Sequence, residues 1–324
     1  MVGDAGHPDI EVAIWYPTDS PTLVRQVGFL DQSIAPAGEL PVGKFSLVLI
    51  SHGNGGLNTS HADTAFALAS RGFVAAAVTH TGDNARDVSA VGSAEWLIDR
   101  PRHIRTMLDF VTNTWRAGGH IDEARIAVFG FSMGGYTALT LIGGTPDVAR
   151  AISYCSAHRG DYSCSQGFDR AVATWEHRPA PTAWPREPRI GAAIIVAPAL
   201  GFLQVPERLS KIRIPIQMWV APEDEIVSAR AVLKLIRDRL GAKPQVRMVP
   251  GARHVDFLAP CDPGVAGRLA SIVPDIEAPQ LCGAYAGFDR AGFHAEFNET
   301  IGDFLMRMLA PRRLATRSGE KSLE

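Results

Sequence analysis

IAVFGFSMGGYTALTLIG, residues 126–143, passes from an apolar run of strand character through Gly130-Phe131-Ser132-Met133-Gly134 into small and apolar residues suited to a helix. A strand that turns at once into a helix holds the residue at the bend in a sharp, strained conformation, and that residue here is a serine. The bend lifts its hydroxyl above the sheet, and glycines two before and two after leave room for the chain to double back. A serine hydroxyl attacks an electrophile only when it is exposed, aligned and relieved of its proton by a neighbour. The bend meets the first two needs. Composition alone yields roughly 0.16 such pentads in a chain this long, so the flanking strand and helix carry the reading.

Outward from this turn, apolar β-branched runs alternate with segments of helical period. Strands are expected at 12–16, 45–50, 73–79, 126–129, 192–197, 214–220 and 245–249. Several are apolar nearly throughout, as strands covered on both faces must be. Between them Ile104, Leu108, Val111 and Trp115 recur at helical spacing, as do Val232, Ile236 and Leu240, and the last stripe runs Phe293, Phe297, Ile301, Leu305, Leu309. The pattern predicts an α/β fold, a mostly parallel central sheet flanked by helices.

At 324 residues with 46% hydrophobic and 20% charged side chains, the chain can bury a large core, and residues 1–312 are expected to form one domain. A net charge of −2 leaves no basic surface for a nucleic acid backbone. The longest apolar run, residues 192–203, is interrupted by Pro198 and Gly201 and is too short for a bilayer. Residues 1–10 lack the basic start and apolar stretch of a secretory signal, so the chain as written reads as cytoplasmic, or as periplasmic or secreted if a signal was removed.

Two regions break the alternation. Residues 154–189 carry Cys155, Cys164, Trp175, Trp184 and a proline-rich stretch, and residues 258–287 carry Cys261 and Cys282. Long irregular segments in a compact domain are usually functional loops, so the first is read as a lid-like insertion whose tryptophans suit an apolar acyl or aryl pocket. The cysteine spacings suit two local disulfides or four free thiols, and no zinc site. Residues 313–324 read as a disordered tail.

A second glycine-rich turn, Ser51-His52-Gly53-Asn54-Gly55-Gly56, follows the strand FSLVLI. Such a turn can aim a backbone N–H at the oxyanion that forms when a serine attacks a carbonyl. Asn54, by its amide, is the expected donor, and the amide of Met133, next after the serine, is the other. The turn lacks the Lys-Ser/Thr of a nucleotide loop. Enzymes built on such a bend run Ser, acid, His along the chain. His52, His61, His80, His103 and His120 precede Ser132, His158 and His177 fall in the irregular insertion, and His294 lies on the last helix. His254 follows the strand QVRMV in a loop, where a parallel sheet places its chemistry, and is the expected general base. Asp224 closes the strand IPIQMWV and is the expected acid. Glu223 and Glu225 flank it, and Asp256 is a reserve. No His-x-x-x-His pair occurs, so neither a metal nor any other cofactor is expected.

These stretches together resemble the α/β-hydrolases described as predicted dienelactone hydrolases, with relatives among platelet-activating-factor acetylhydrolase-like esterases and polyester hydrolases. The likeness runs through EVAIWYP, LVLISHGNGG, RGFVAAAVTHTGDN, EWLIDRPRHI, GFSMGGYTALTL, IVAPALGF, APEDEIV, GARHVDFLAPC and GFDRAGFHAEF. The resemblance implies Ser132, Asp224 and His254 as a catalytic triad and the amides of Asn54 and Met133 as its oxyanion hole. Dienelactone hydrolases proper use a cysteine nucleophile where this chain has Ser132, so lactone opening is not implied. The acetylhydrolase relatives carry their acid after the strand that here reads IIVAP, where this chain has Ala197, which favours Asp224. Members of the group are often exported, and the likeness thereby favours a Cys261–Cys282 disulfide. The expected function is hydrolysis of small to medium, apolar or aryl carboxylic esters through an acyl-enzyme. A lactonase, amidase or acyltransferase with the same residues, or a non-catalytic binding module on this fold, are the alternatives.

Overall fold

The computed structural model describes residues 1–160, 164, 184–262, 264, 282 and 287–310. Trp175, His177, most of the expected insertion, most of 258–287 and the tail at 313–324 lie outside the described residues.

Eight strands form one sheet: β1 (Val2–Asp4), β2 (His7–Trp15), β5 (Phe45–Ser51), β6 (Val74–Thr79), β7 (Ile121–Phe131), β8 (Ile190–Val196), β9 (Ile216–Val220) and β10 (Gln245–Met248). Their order is β1-β2-β6-β5-β7-β8-β9-β10. From β6 to β10 every neighbouring pair is parallel, while β1 and β2 add an antiparallel edge. This is the mostly parallel sheet that the alternation predicts. The pleat sorts each central strand to two sides. Leu47, Leu49, Ile126, Val128, Ala193 and Ile195 enter one core layer; Val48, Ile50, Ala127, Phe129, Ala192 and Ile194 enter the other.

Helices complete both layers. On the first side lie α2 (Ala94–Asn113), α3 (Met133–Leu141), α4 (Val148–Ala157), the short α5 (Pro206–Leu209) and α6 (Ala229–Leu235). The second side holds α1 (Ala62–Ser70) and α7 (Arg290–Met308). The stripe Phe297, Ile301, Leu305, Leu309 of α7 is buried against Phe129 and Trp219. Pro101 lies inside α2 and has no N–H for the Leu97 carbonyl one turn earlier. The Tyr136 hydroxyl, reaching across from α3, donates to that carbonyl at 3.2 Å.

Several expectations needed correction. Residues 154–157 belong to α4 rather than to an irregular insertion. The helix expected through Leu240 ends at Leu235 and gives way to a tight turn over Arg237–Arg239. A hairpin of β3 (Leu23–Val27) and β4 (Leu30–Ile34) was not anticipated. Its strands carry mostly exposed, mixed side chains and so lack an apolar period; the turn signal is Gly28, at φ 61°, in a two-residue connection to Leu30. Disulfides join Cys155 to Cys164 and Cys261 to Cys282. Among the described residues no helix is long and apolar enough to cross a membrane.

Phe297 is fully buried where α7 meets the sheet, so Phe297→Ala removes a ring and leaves a cavity. The expected loss is about 3–5 kcal/mol in the free energy of urea unfolding.

Candidate active site

Ser132 sits between β7 and α3 at φ 54°, ψ −116°, a left-handed conformation that a residue with a Cβ adopts only under constraint. The constraint is visible in the glycines around it. A Cβ on Gly130 would lie 2.0 Å from the Gly134 carbonyl oxygen, and one on Gly134 would lie 1.9 Å from that of Ser51. The Ser132 carbonyl accepts from Ala199 N at 3.0 Å, and its amide donates to Val196 O at 2.9 Å, so β8 and the turn after it grip the bend.

His254 reaches this serine from the turn after β10. Its Nε2 is 2.9 Å from Ser132 Oγ and its Nδ1 is 2.8 Å from Asp224 Oδ2. The Phe131 ring packs beside the imidazole, with centroids 4.8 Å apart. Asp224 follows β9, and its other oxygen accepts from the amides of Ile226 and Val227 at 2.9 and 2.6 Å. Those two bonds fix the carboxylate, and a carboxylate at Nδ1 fixes the tautomer that leaves Nε2 free to accept a proton. All three side chains are buried, so little water competes for these bonds.

The loop after β5 lies directly against the bend: a Cβ on Gly53 would be 3.3 Å from Ser132 Cβ. The Gly53 carbonyl is held by His52 Nδ1 at 2.6 Å, while His52 Nε2 accepts from the His80 amide at 3.0 Å. A carbonyl only accepts and an amide N–H only donates, so His52 is the neutral Nδ1–H tautomer. Burial, with Arg100 nearby, lowers its pKa to about 3 and keeps it neutral. In a trans peptide the C=O and the following N–H point in opposite directions. With the Gly53 carbonyl drawn toward His52, the Asn54 amide points the other way. Among the described residues neither the Asn54 nor the Met133 amide donates to a protein acceptor.

The remaining candidates go elsewhere. Glu223 and Glu225 are exposed, and Glu223 accepts from the Gly251 amide at 2.9 Å. Asp256 caps its own turn through the Arg253 amide at 2.7 Å, and burial raises its carboxyl above the usual range. His294 bridges Asp63 and the Asp256 carbonyl, at 2.6 and 2.8 Å. His158 stacks on Tyr154, His120 meets the Gly43 carbonyl, and Trp184 packs against the first core layer. Among the described residues no three His, Cys, Asp or Glu side chains converge as a metal site requires.

The sequence model of the dienelactone hydrolase family matches residues 36–169, which span the glycine-rich loop and the bend at Ser132. Solved structures align along nearly the whole chain. A ferulic acid esterase from Streptomyces cinnamoneus gives a TM-score of 0.62 at 18% identity, covering 96% of this chain and 86% of its own. Est1E from Butyrivibrio proteoclasticus, with ferulic acid bound, gives 0.53 at 12% identity, with 96% and 100% covered. Thermogutta terrifontis esterase 2, phosphonylated by cyclosarin, gives 0.55 at 15% identity, with 96% and 95% covered. The fold is that of an α/β-hydrolase. Comparison with curated proteins returned no match.

The α/β-hydrolase sheet buries further titratable groups beside the site. His61, edge-on to Phe129 and Phe131, is lowered to about 4 by burial, and His103 to about 3 by burial and Arg102. With His52 these imidazoles bind protons less readily folded than unfolded, where the ordinary value is 6.5. The unfolded chain therefore takes up protons first as the pH falls. Their contribution to stability is complete above about 6.5 and is lost progressively toward about 4 and below. Thermal melts across pH 7 to 4 should show Tm falling with pH, and His61→Phe, which removes one titrating ring, should make that slope shallower.

Proposed function

We propose that this α/β-hydrolase is a serine carboxylic ester hydrolase working through an acyl-enzyme, with Ser132 as nucleophile, His254 as general base and Asp224 as the acid that orients it. The observation that carries this reading is the continuous contact from Ser132 Oγ through the His254 ring to Asp224, at 2.9 and 2.8 Å, on a strained bend. In the first half-reaction His254 Nε2 takes the hydroxyl proton as Oγ attacks the ester carbonyl. Negative charge collects on the carbonyl oxygen, which the amides of Asn54 and Met133 stabilise. Collapse expels the alcohol, with the proton returned by His254. Water then repeats the sequence on the acyl-enzyme and releases the acid. The chemistry calls for no cofactor.

Small to medium esters with an apolar or aryl group are the proposed substrates. The structural neighbour Est1E holds ferulic acid, an aryl acid, and the Thermogutta neighbour is phosphonylated by cyclosarin, as an activated serine would be.

A fluorophosphonate probe should label the wild-type chain on Ser132, and p-nitrophenyl acetate should give a burst of one p-nitrophenol per site if deacylation is the slower half. Ser132→Ala should abolish labelling and lower kcat by several orders of magnitude with an unchanged circular dichroism spectrum. Turnover retained in that variant ends the proposal. Asp224→Asn leaves the carboxylate contact unmade and should lower kcat by about 10⁴-fold, as loss of the orienting acid does in serine enzymes. Glu223→Gln should cost far less, and steady-state kinetics giving the opposite ranking would move the acid role to Glu223.

A further inference from the structure

One buried ion pair lies beneath both halves of the site. Arg100 in α2 and Asp83 in the loop after β6 are each about 1% exposed and are joined through Arg100 Nη1 and Asp83 Oδ2. Neither partner touches the Ser132–His254–Asp224 chain, and their other bonds run to the backbone around it. Arg100 Nη2 donates to the His52 carbonyl, and its Nε donates to Thr137 Oγ1 at 3.2 Å. Thr137 in turn donates to the Met133 carbonyl at 2.9 Å. Asp83 Oδ1 accepts from the Gly55 amide at 2.7 Å, and Oδ2 also accepts from the Trp96 indole N–H.

Three consecutive peptide units of the glycine-rich loop are thus pinned from below. The His52 carbonyl is held by Arg100, the Gly53 carbonyl by the His52 ring and the Gly55 amide by Asp83. The Asn54 amide is thereby turned away from the Gly53 carbonyl and has no protein acceptor among the described residues. The same guanidinium reaches the first turn of α3, where the Met133 amide starts the helix. We infer that the Arg100–Asp83 pair is a positioning element that sets the Asn54 and Met133 amides at a common oxyanion site, a role that rests on the esterase reading above. The planar fork of an arginine, bonded here through each of its three nitrogens, suits the task, because it fixes direction as well as distance. An apolar pair of similar volume could fill the space but could not aim the two amides.

The test compares wild type with the double variant Arg100→Met/Asp83→Leu and with the milder Trp96→Phe and Thr137→Val. Replacing both charges together leaves no orphaned ion, so the double variant is expected to fold, with a Tm close to wild type. On p-nitrophenyl acetate its kcat should fall roughly 100-fold or more, the cost of losing one oxyanion donor, while KM and the pH midpoint of kcat/KM stay within a factor of about two and a few tenths of a unit. Inhibition by a trifluoromethyl ketone, whose tetrahedral adduct places an oxyanion in the same position, should weaken in parallel. A folded double variant with kcat within threefold of wild type overturns the inference, as does a loss carried by KM or accompanied by a moved pH midpoint. If the double variant does not fold, Trp96→Phe and Thr137→Val decide it: smaller losses of kcat at constant KM support the role, and wild-type kcat in both overturns it. Fluorophosphonate labelling of the wild type is read first. An unlabelled wild type defeats the esterase reading itself, whereas a labelled one with indifferent variants defeats only the positioning role.

Discussion

Backbone meets backbone at the bend with nothing in between. Where β7 becomes α3, Gly134 lies so close to the end of β5 that a single added methyl carbon would fall 1.9 Å from the Ser51 carbonyl oxygen. That approach lets the start of α3, the loop after β5 and the turn after β8 converge on one residue, and it holds Ser132 at a φ that its side chain would not choose. The parallel sheet around it supplies the rest. Strands β5, β7, β8, β9 and β10 all run in one direction, so the loops that follow them open at one edge, where Asn54, Ser132, Ala199, Asp224 and His254 gather.

Much of this was legible in the residues. The bend announces itself because Gly-x-Ser-x-Gly sits between an apolar run and a helical one, and chain order with strand ends points to Asp224 and His254, which the fold brings into one hydrogen-bonded chain with Ser132. Elements with no period were not legible. The hairpin of β3 and β4 exposes most of its side chains, so nothing in LVRQV or LDQSI marks an inner face. Helix α6 stops before Leu240 because the chain tightens at Arg237, a local choice that an apolar stripe cannot register.

The ion pair under the loop is an intermediate case. Arg100 stands four residues before Ile104 and eight before Leu108, on the buried stripe of α2, and a charge at such a position is a signal that a partner must be buried with it. The sequence cannot say which acid answers, because Asp83 arrives from a loop whose path only the fold defines. The same holds for His52. Its place in a glycine-rich turn is visible, but its work as a neutral donor to its own neighbour's carbonyl depends on the His80 amide just past the end of β6.

The proline within α2 has an effect beyond its own helix. Because Pro101 has no proton to give, the Leu97 carbonyl is bonded by a phenol from a different helix, and that phenol belongs to the residue four places after Ser132. The dependence runs one way. Phenylalanine at 136 would strand a buried acceptor, and an ordinary residue at 101 would offer that acceptor a second donor beside the phenol. A loss of the phenol at 136 would thus be offset by a residue at 101 that carries its own N–H, whereas the phenol itself does not depend on the proline, because a carbonyl oxygen can accept two bonds.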